Sequence, residues 1–441
     1  MRFSTMTLGC KANQYDTRTI ERILCERGHE HIKAGNGCDV CIINTCAVTA
    51  ESVRKSRQAV RRVKRLEPNA LIAVCGCYSE IERSAVEELG VSLIGGTADR
   101  EGFAAKVEEL LAVHVGARAI LPSAGRSTAH ATGTEPAPRA AQQTEQTEQA
   151  APRTRALLKI QDGCGNHCSY CVIPQARGNP RSMPLSDVAA KAKKLGEQGY
   201  KEIVITGIEI SSYSPCLIDA LQTISSNAPH ARLRIGSLIP EILTESFTER
   251  LTSIPNLCNH FHISLQSGCD EVLRQMNRNY TTDEVTSGIE RLRRAFDNSG
   301  ITADLIVGFP GETDEQFEQT LRFIEKVAFS KVHIFPFSLR RGTAAAQMPD
   351  QISGSVKKER AKIAGEVAAR LAEKFKLAQI GKTLDVLFET QKTGYSAGLS
   401  GNYLSVAVWA QNGKYGKIDK NSRENVKILG IKDSVLFGEI V

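Results

Sequence analysis

Along the first 112 residues, short runs of β-branched and other apolar side chains alternate with stretches whose apolar positions recur every three or four residues. The runs at 2–8, 40–44 and 70–74 predict strands, and 17–27, 52–66 and 100–111 predict helices. This alternation predicts a parallel sheet with crossover helices. From residue 156 it resumes with a longer rhythm. Strands are predicted at 156–160, 202–206, 233–237, 260–265, 302–307 and 332–337, with helices between them, for example at 185–195, 219–225 and 314–327. Six β/α units predict a partial barrel whose working face is made by the loops at the C-terminal strand ends. An open doubly wound sheet is the alternative. After residue 379 the period turns to two. Leu384, Val386 and Phe388 alternate with Asp385, Leu387 and Glu389, then come Leu404, Val406 and Val408, and 435–441 ends the chain; together they predict a small β-barrel. Between 122 and 155 no aliphatic side chain exceeds Ala, so nothing there can bury enough surface to offset chain entropy. The expected division is α/β throughout: an N-terminal parallel domain over 1–115, a flexible linker over 116–155, a partial (β/α)6 barrel over 156–378 and a small β-barrel over 379–441. A capping helix at 140–151 is the weaker alternative for the linker.

Hydrophobic residues make up 41% of the 441 and charged residues 24%, a balance that argues against a disordered or fibrous chain. No apolar run nears the ~18 residues of a membrane span. The first six residues lack the apolar block of a secretory signal. A cytoplasmic protein with no membrane partner is expected. Its thirteen cysteines then need a reason, because in a reducing cytosol they bind metal, catalyse or pack rather than pair. The net charge of +7 is mild, but it is concentrated. Residues 355–441 hold 15 Lys and Arg against 9 Asp and Glu, and Arg54, Lys55, Arg57, Arg61, Arg62, Lys64 and Arg65 crowd one predicted helix. One such run is an ordinary solvated face; two in one chain point toward a phosphate backbone.

The sharpest chemical signal is Cys164-Gly165-Asn166-His167-Cys168-Ser169-Tyr170-Cys171, directly after the first predicted barrel strand. Three thiolates in one tight loop can converge on a cubane, whereas zinc usually takes four ligands, often as paired Cys-x-x-Cys. Three ligands leave one iron of a 4Fe–4S cluster open, a position that suits the amino and carboxylate groups of S-adenosylmethionine. An electron passed through the cluster can then cleave the sulfonium to a radical. A second set lies in the first domain. Cys10, Cys46 and Cys77 each follow the C-terminal end of a predicted strand, and in a parallel sheet those ends share one edge. Free cysteine is also a common core residue, so the residues alone leave packing open for this set.

The loop and its position resemble the radical SAM superfamily. Leu8-Gly9-Cys10-Lys11-Ala12-Asn13-Gln14, Asn44-Thr45-Cys46-Ala47-Val48-Thr49 and Cys75-Gly76-Cys77 resemble the three cysteine motifs of its methylthiotransferase family, which comprises MiaB, RimO and MtaB groups. His262-Ile263-Ser264-Leu265-Gln266-Ser267-Gly268, Ile306-Val307-Gly308-Phe309-Pro310-Gly311-Glu312 and Phe335-Pro336-Phe337-Ser338 are further marks, and the C-terminal barrel is similar to the family's TRAM domain. The stretches at 11–13 and 47–49 look most like the MtaB group, whose substrate is threonylcarbamoyladenosine in tRNA. The departures, Ser264 for Pro, Cys269 for Ser or Thr, and no Pro after Thr343, touch no cysteine of either set. The resemblance implies a second 4Fe–4S cluster on Cys10, Cys46 and Cys77, which supplies or carries the sulfur. It also implies two molecules of S-adenosylmethionine per product, and carbon 2 of the adenine ring as target. Such an aromatic C–H has no acidic proton, so a radical is required, and the base would be splayed from the anticodon stem-loop. A reducing electron donor and a monomer are expected. Methylthiolation of isopentenyladenosine or of a ribosomal protein side chain stays open, as does a non-enzymatic iron–sulfur RNA-binding redox sensor.

Several other residues are singled out. Cys164, Cys168 and Cys171 are the expected catalytic cluster ligands. Tyr170 is expected to shield the cluster or adenine, while Thr206, Gly207 and Glu209 end the second barrel strand where the cofactor's methionine amino group would lie, and Ser237 and Gln266 at later strand ends could bind its ribose or carboxylate. Glu209 could equally belong to a plain turn, and Ser237 could cap the next segment. The 308–312 turn could flank the adenine, or Glu312 could start a helix. Cys77 is preferred to Cys75, which ends an apolar run. Cys38 and Cys41 form a Cys-x-x-Cys whose expected role is packing. Cys25, Cys216, Cys258 and Cys269 are given no role. Lys414, Lys417, Lys420 and Arg423 are the candidate RNA contacts.

Overall fold

The computed structural model describes residues 1–120, 154–392, 394–409 and 418–441. Its first sheet has five parallel strands, in the order Glu30–His31, Arg2–Thr7, Val40–Thr45, Leu71–Gly76 and Leu93–Ile94. Val40–Thr45 is buried along its whole length, as a central parallel strand covered on both faces must be. Ala50–Leu66 covers one face with Val53, Val60 and Val63. Lys11–Glu26 and Arg100–Ile120 cover the other with Ile20, Leu24, Phe103 and Val107. The strand order reverses between Arg2–Thr7 and Val40–Thr45, and such a switch point opens a crevice at the C-terminal strand ends.

Two of these helices depart from the apolar pattern at their starts. Lys11–Glu26 begins at Lys11 rather than Thr17, because Asn13, Asp16 and Thr17 are buried on the face that continues as Ile20, Ile23 and Leu24. Polar burial hid the first turns. Ala50–Leu66 starts at a reciprocal capping pair between Thr49 and Ser52, a local stop that apolar spacing does not report.

The second section follows the chain in space: Arg155–Lys159, Glu202–Thr206, Arg232–Ile235 with Ser237–Leu238, His260–Gln266, Gly300–Val307 and Lys331–Pro336, all in parallel pairings. The ladder is interrupted at Gly236, dividing the strands into groups of three and four. Spatial order equal to chain order, without reversal, is the partial barrel rather than the open doubly wound sheet. The linker expected over 116–155 lies for the most part outside the described residues, as does the 140–151 alternative.

The C-terminal strands Thr383–Lys392, Tyr395–Ser400, Ser405–Trp409, Val435–Ile440 and Arg423–Lys432 close a barrel in that order, around Val386, Phe388, Val406, Val426 and Leu436. It docks on the N-terminal ends of the larger barrel's strands. Arg232 and Arg234, each 1% exposed, share Glu202 at 2.6–3.0 Å. They also donate to the carbonyls of Leu399, Ser400 and Gly401 at 2.7–3.1 Å. Burial pushes the Glu202 carboxyl up, but Arg234 and Arg232 outweigh it and hold it down to about 2. Among the described residues no helix is long and apolar enough to cross a membrane.

Candidate functional site: two cysteine trios at one seam

The loop with Cys164, Cys168 and Cys171 leaves the first barrel strand through Gly163. This glycine has φ +76°, and a Cβ there would lie 2.1 Å from the Asn179 carbonyl oxygen, so the turn admits no side chain. All three thiols are partly exposed, and each sulfur faces an N–H group. Asn166 N donates to Cys164 Sγ at 3.4 Å, Arg278 Nη1 to Cys168 Sγ at 3.3 Å, and Ile173 N to Cys171 Sγ at 3.4 Å. Burial pushes the Cys164 thiol up and that of Cys171 to about 12, against these donors and the Arg278 charge. Iron needs the thiolates, and donors aimed at sulfur stabilise that form. The trio therefore fits a three-cysteine cubane on its donor set. Among the described residues no group of three His, Cys, Asp or Glu side chains is placed to hold a single metal ion.

The rim residues are built in unequally. Thr206 is buried at the end of its strand. At Gly207 a Cβ would lie 2.8 Å from Gln161 Oε1 and 2.7 Å from Ile210 Cγ2. Gln161 Oε1 accepts from Ile208 N at 3.0 Å and Glu209 N at 2.8 Å, while its Nε2 donates to the Gly163 carbonyl at 2.8 Å. One buried amide thus ties the root of the cysteine loop to the Gly207 turn. Glu209 caps a short helical turn by accepting from Ser211 N at 3.1 Å, and burial pushes its carboxyl up. Its negative charge also adds to the burial that pushes the Cys164 thiol up. Gln266 ends its strand at φ +70° beside a shift in register. Ser237 is exposed on the neighbouring strand end. Neither side chain hydrogen-bonds the cysteine loop among the described residues. Tyr170 packs against Val272, Met276, Phe309 and Phe337. Glu312 does not start a helix: it accepts from Gly308 N at 2.7 Å and pairs with Arg360 at 2.7 Å, and Thr313 caps Asp314–Val327 instead.

In the first domain the turns carrying Cys10, Cys46 and Cys77 do meet. Gly9 has φ +100°, and a Cβ on it would touch Cys46 Cβ at 2.9 Å and Cys46 Sγ at 3.0 Å. Asn13 Nδ2 donates to the Leu8 carbonyl at 2.9 Å and the Thr45 carbonyl at 3.0 Å, and its Oδ1 lies 3.9 Å from Cys77 Sγ. A single side chain, fully buried, therefore touches all three turns. Cys10 is exposed; Cys46 and Cys77 are buried, and burial pushes both thiols up, Cys77 to about 11 against the Arg177 charge. Cys75 packs on the opposite face of the sheet with Phe3, Ala73 and Phe103. Cys38 Sγ lies 2.9 Å from Cys41 Sγ, both buried and both near Ser4 Oγ, away from the trio.

Asn13, Gln161, Arg278 and Arg177 are absent from the expected set. Asn13 lies inside a cysteine motif, and its burial at the N-terminal end of an otherwise apolar helix face was the available signal. The two arginines carried none. Of the expected RNA contacts, Lys414 and Lys417 lie outside the described residues, Lys420 is exposed, and Arg423 is paired with Asp385 at 2.6 Å. Arg61, Arg62 and Arg65 are exposed along their helix.

Residues 158–324 match the radical SAM superfamily and residues 2–95 the uncharacterized protein family UPF0004. The chain is 35% identical to the threonylcarbamoyladenosine tRNA methylthiotransferase MtaB of Bacillus subtilis over 96% of this chain and 92% of that protein. The protein of the same name from Chlamydia pneumoniae is 33% identical over 100% and 98%. A tRNA-2-methylthio-N(6)-dimethylallyladenosine synthase from Symbiobacterium thermophilum is 31% identical over 87% and 83%. In fold, the chain is similar to the radical S-adenosylmethionine methyltransferase TsrM of Kitasatospora setae, with TM-score 0.53, 16% identity, and 76% and 72% of the two chains covered. With the cysteine loop at a barrel mouth and full-length likeness on both sides of it, the chain belongs to the MtaB-like methylthiotransferases of the radical SAM superfamily.

Proposed function

We infer that this enzyme adds a methylthio group to carbon 2 of N6-threonylcarbamoyladenosine beside the anticodon of tRNA. The observation that carries the reading is the pair of cysteine trios on one seam, in a chain whose full-length relatives bear that activity in their names. A 4Fe–4S cluster and S-adenosylmethionine are its cofactors, and together they supply radical chemistry to a C–H bond that no base could open. Cys164, Cys168 and Cys171 hold that cluster. Cys10, Cys46 and Cys77 hold a second one and the sulfur to be transferred.

The remaining work falls to side chains that orient and exclude. Gln161 keeps the Gly207 turn in register with the cysteine loop, and so holds the strand end at Thr206 and Gly207 in place for the cofactor's methionine end. Glu209 receives its amino group; Ser237 and Gln266 receive its ribose and carboxylate. Tyr170 closes the apolar side. Residues 1–115 act as the sulfur domain, 116–155 as a linker, 156–378 as the radical barrel and 379–441 as the TRAM-like RNA module. The enzyme acts in the cytoplasm as a monomer and draws electrons from a reducing partner.

Anaerobic incubation with reductant, S-adenosylmethionine and tRNA, followed by nucleoside mass spectrometry, tests this. The expected product is the 2-methylthio derivative of threonylcarbamoyladenosine. Modification of dimethylallyladenosine alone would move the chain to the group of its 31% relative. Product on ribosomal protein and none on tRNA would overturn the reading.

A further inference from the structure

One five-residue helix ties the two sulfur sites together. Ile173–Arg177 begins two residues after Cys171 and packs against Cys77–Ile81, whose first residue is Cys77. Val172 and Ala176 lie in one buried apolar cluster with Cys77 and Tyr78, and Ile173 packs on it. Thr97 Oγ1, from the first domain, donates to the Ala176 carbonyl at 2.5 Å. Apolar contact therefore sets how far the third cysteine of one trio stands from the third of the other.

Arg177 ends this helix with a side chain 0% exposed. Its Nη2 donates to Asn13 Oδ1 at 2.5 Å and Asp16 Oδ2 at 3.0 Å; its Nη1 donates to Asp162 Oδ1 at 3.0 Å. Asn13 is the residue that joins the Cys10 and Cys46 turns, and Asp162 stands two residues before Cys164. Lys159 bonds both carboxylates, and Arg100 reaches Asp16 at 3.0 Å. Among the described residues three cations thus meet two carboxylates in a buried knot, and Arg177 Nε has no hydrogen-bond partner. A surplus positive charge out of water is costly unless an anion faces it. The first-domain sulfurs lie on that side: Asn13 Oδ1, which accepts from Arg177 Nη2 at 2.5 Å, is 3.9 Å from Cys77 Sγ, and the helix ending in Arg177 packs on the helix that begins at Cys77. A four-iron core in its resting two-plus state with three thiolates carries one net negative charge, which matches the surplus.

We propose that Arg177 is a positioning residue for methylthio transfer: it fixes the spacing of the two trios and sets its positive charge against the sulfur ligands Cys10, Cys46 and Cys77. This rests on the reading that those three cysteines hold a second cluster. The test uses the full chain carrying Cys164→Ala, Cys168→Ala and Cys171→Ala, which also removes the sulfur that Arg278 faces. Reconstituted and reduced, with arginine labelled with nitrogen-15, it is expected to show a nitrogen-15 coupling to the remaining cluster by pulsed electron paramagnetic resonance. Adding Arg177→Gln should remove that coupling and shift the cluster's midpoint potential downward, because a nearby cation favours the more negative reduced state. Arg177→Lys should restore the midpoint without the coupling. A cluster with no coupling in the parent, or an unmoved midpoint in Arg177→Gln with the cluster intact, overturns the proposal. The labelling arm keeps Arg177 native, so it decides even if Arg177→Gln does not fold. No iron in the parent would sink the two-cluster reading itself, and Arg177's assignment with it.

Discussion

Each sulfur in the Cys164 loop faces one N–H donor, and on the proposed reading that donor set serves cluster ligands rather than a packed core. The matching expectation is sharp. Replacing Cys164, Cys168 and Cys171 by Ala should abolish deoxyadenosine formation in an assay with reductant and S-adenosylmethionine. Iron content should fall from about eight to about four per chain. Asp162 allows a second test at the same scale. Burial raises its carboxyl, but Arg177 and Lys159 outweigh this and hold it down to about 2, against about 3.9 in an unfolded chain. A depressed carboxyl stabilises above its unfolded value, and that contribution disappears as pH falls from about 4 to about 2. The difference amounts to about 2–3 kcal/mol. In urea titrations of the iron-free chain, Asp162→Asn should unfold earlier than the parent at pH 7, and the two curves should converge as pH approaches 2.

At the scale of elements, the strand-to-helix turns decide the site. Gly9, Gly76 and Gly163 all have positive φ, and at each a Cβ would run into a neighbouring turn. Gly9→Ala would adopt a backbone that costs about 1–3 kcal/mol and push on Cys46. The expected result is loss of about half the iron, measured by chelator assay, with deoxyadenosine formation at the other trio retained. These turns were legible as cysteine positions past strand ends. Helix starts were less so: the buried Asn13 and Asp16 look polar in a sequence window, and only their tertiary partners, the Leu8 and Thr45 carbonyls for Asn13 and Arg100, Lys159 and Arg177 for Asp16, explain why a helix buries them. Glu312 misled in the same way, since its partner Arg360 lies on the distant helix Gly354–Leu377.

For the whole molecule the question is which surface meets RNA. Arg423 is held by Asp385, which also binds Arg232 at 3.2 Å, so its charge serves the docking of the small barrel. Arg423→Gln should lower the denaturation midpoint and leave the salt dependence of tRNA binding unchanged. Neutralising the exposed Arg61, Arg62 and Arg65 should do the reverse, weakening binding and lowering the slope of log affinity on log salt by about 2. Fluorescence anisotropy across a salt series distinguishes the two.

The amino-acid sequence by itself determined the α/β class, the succession of sheet, barrel and small barrel, and the gathering of Cys164, Cys168 and Cys171 in one loop. Those features rest on local periodicity and on spacing within one loop, and both are written in consecutive residues. Tertiary structure alone decided that the two trios share a seam, that Asn13 and Gln161 hold their turns together, that Arg177 reaches Asn13, and that Arg278 faces Cys168. Each of those contacts joins residues far apart in the chain, and a buried charge shows its purpose only once its partner has been brought beside it.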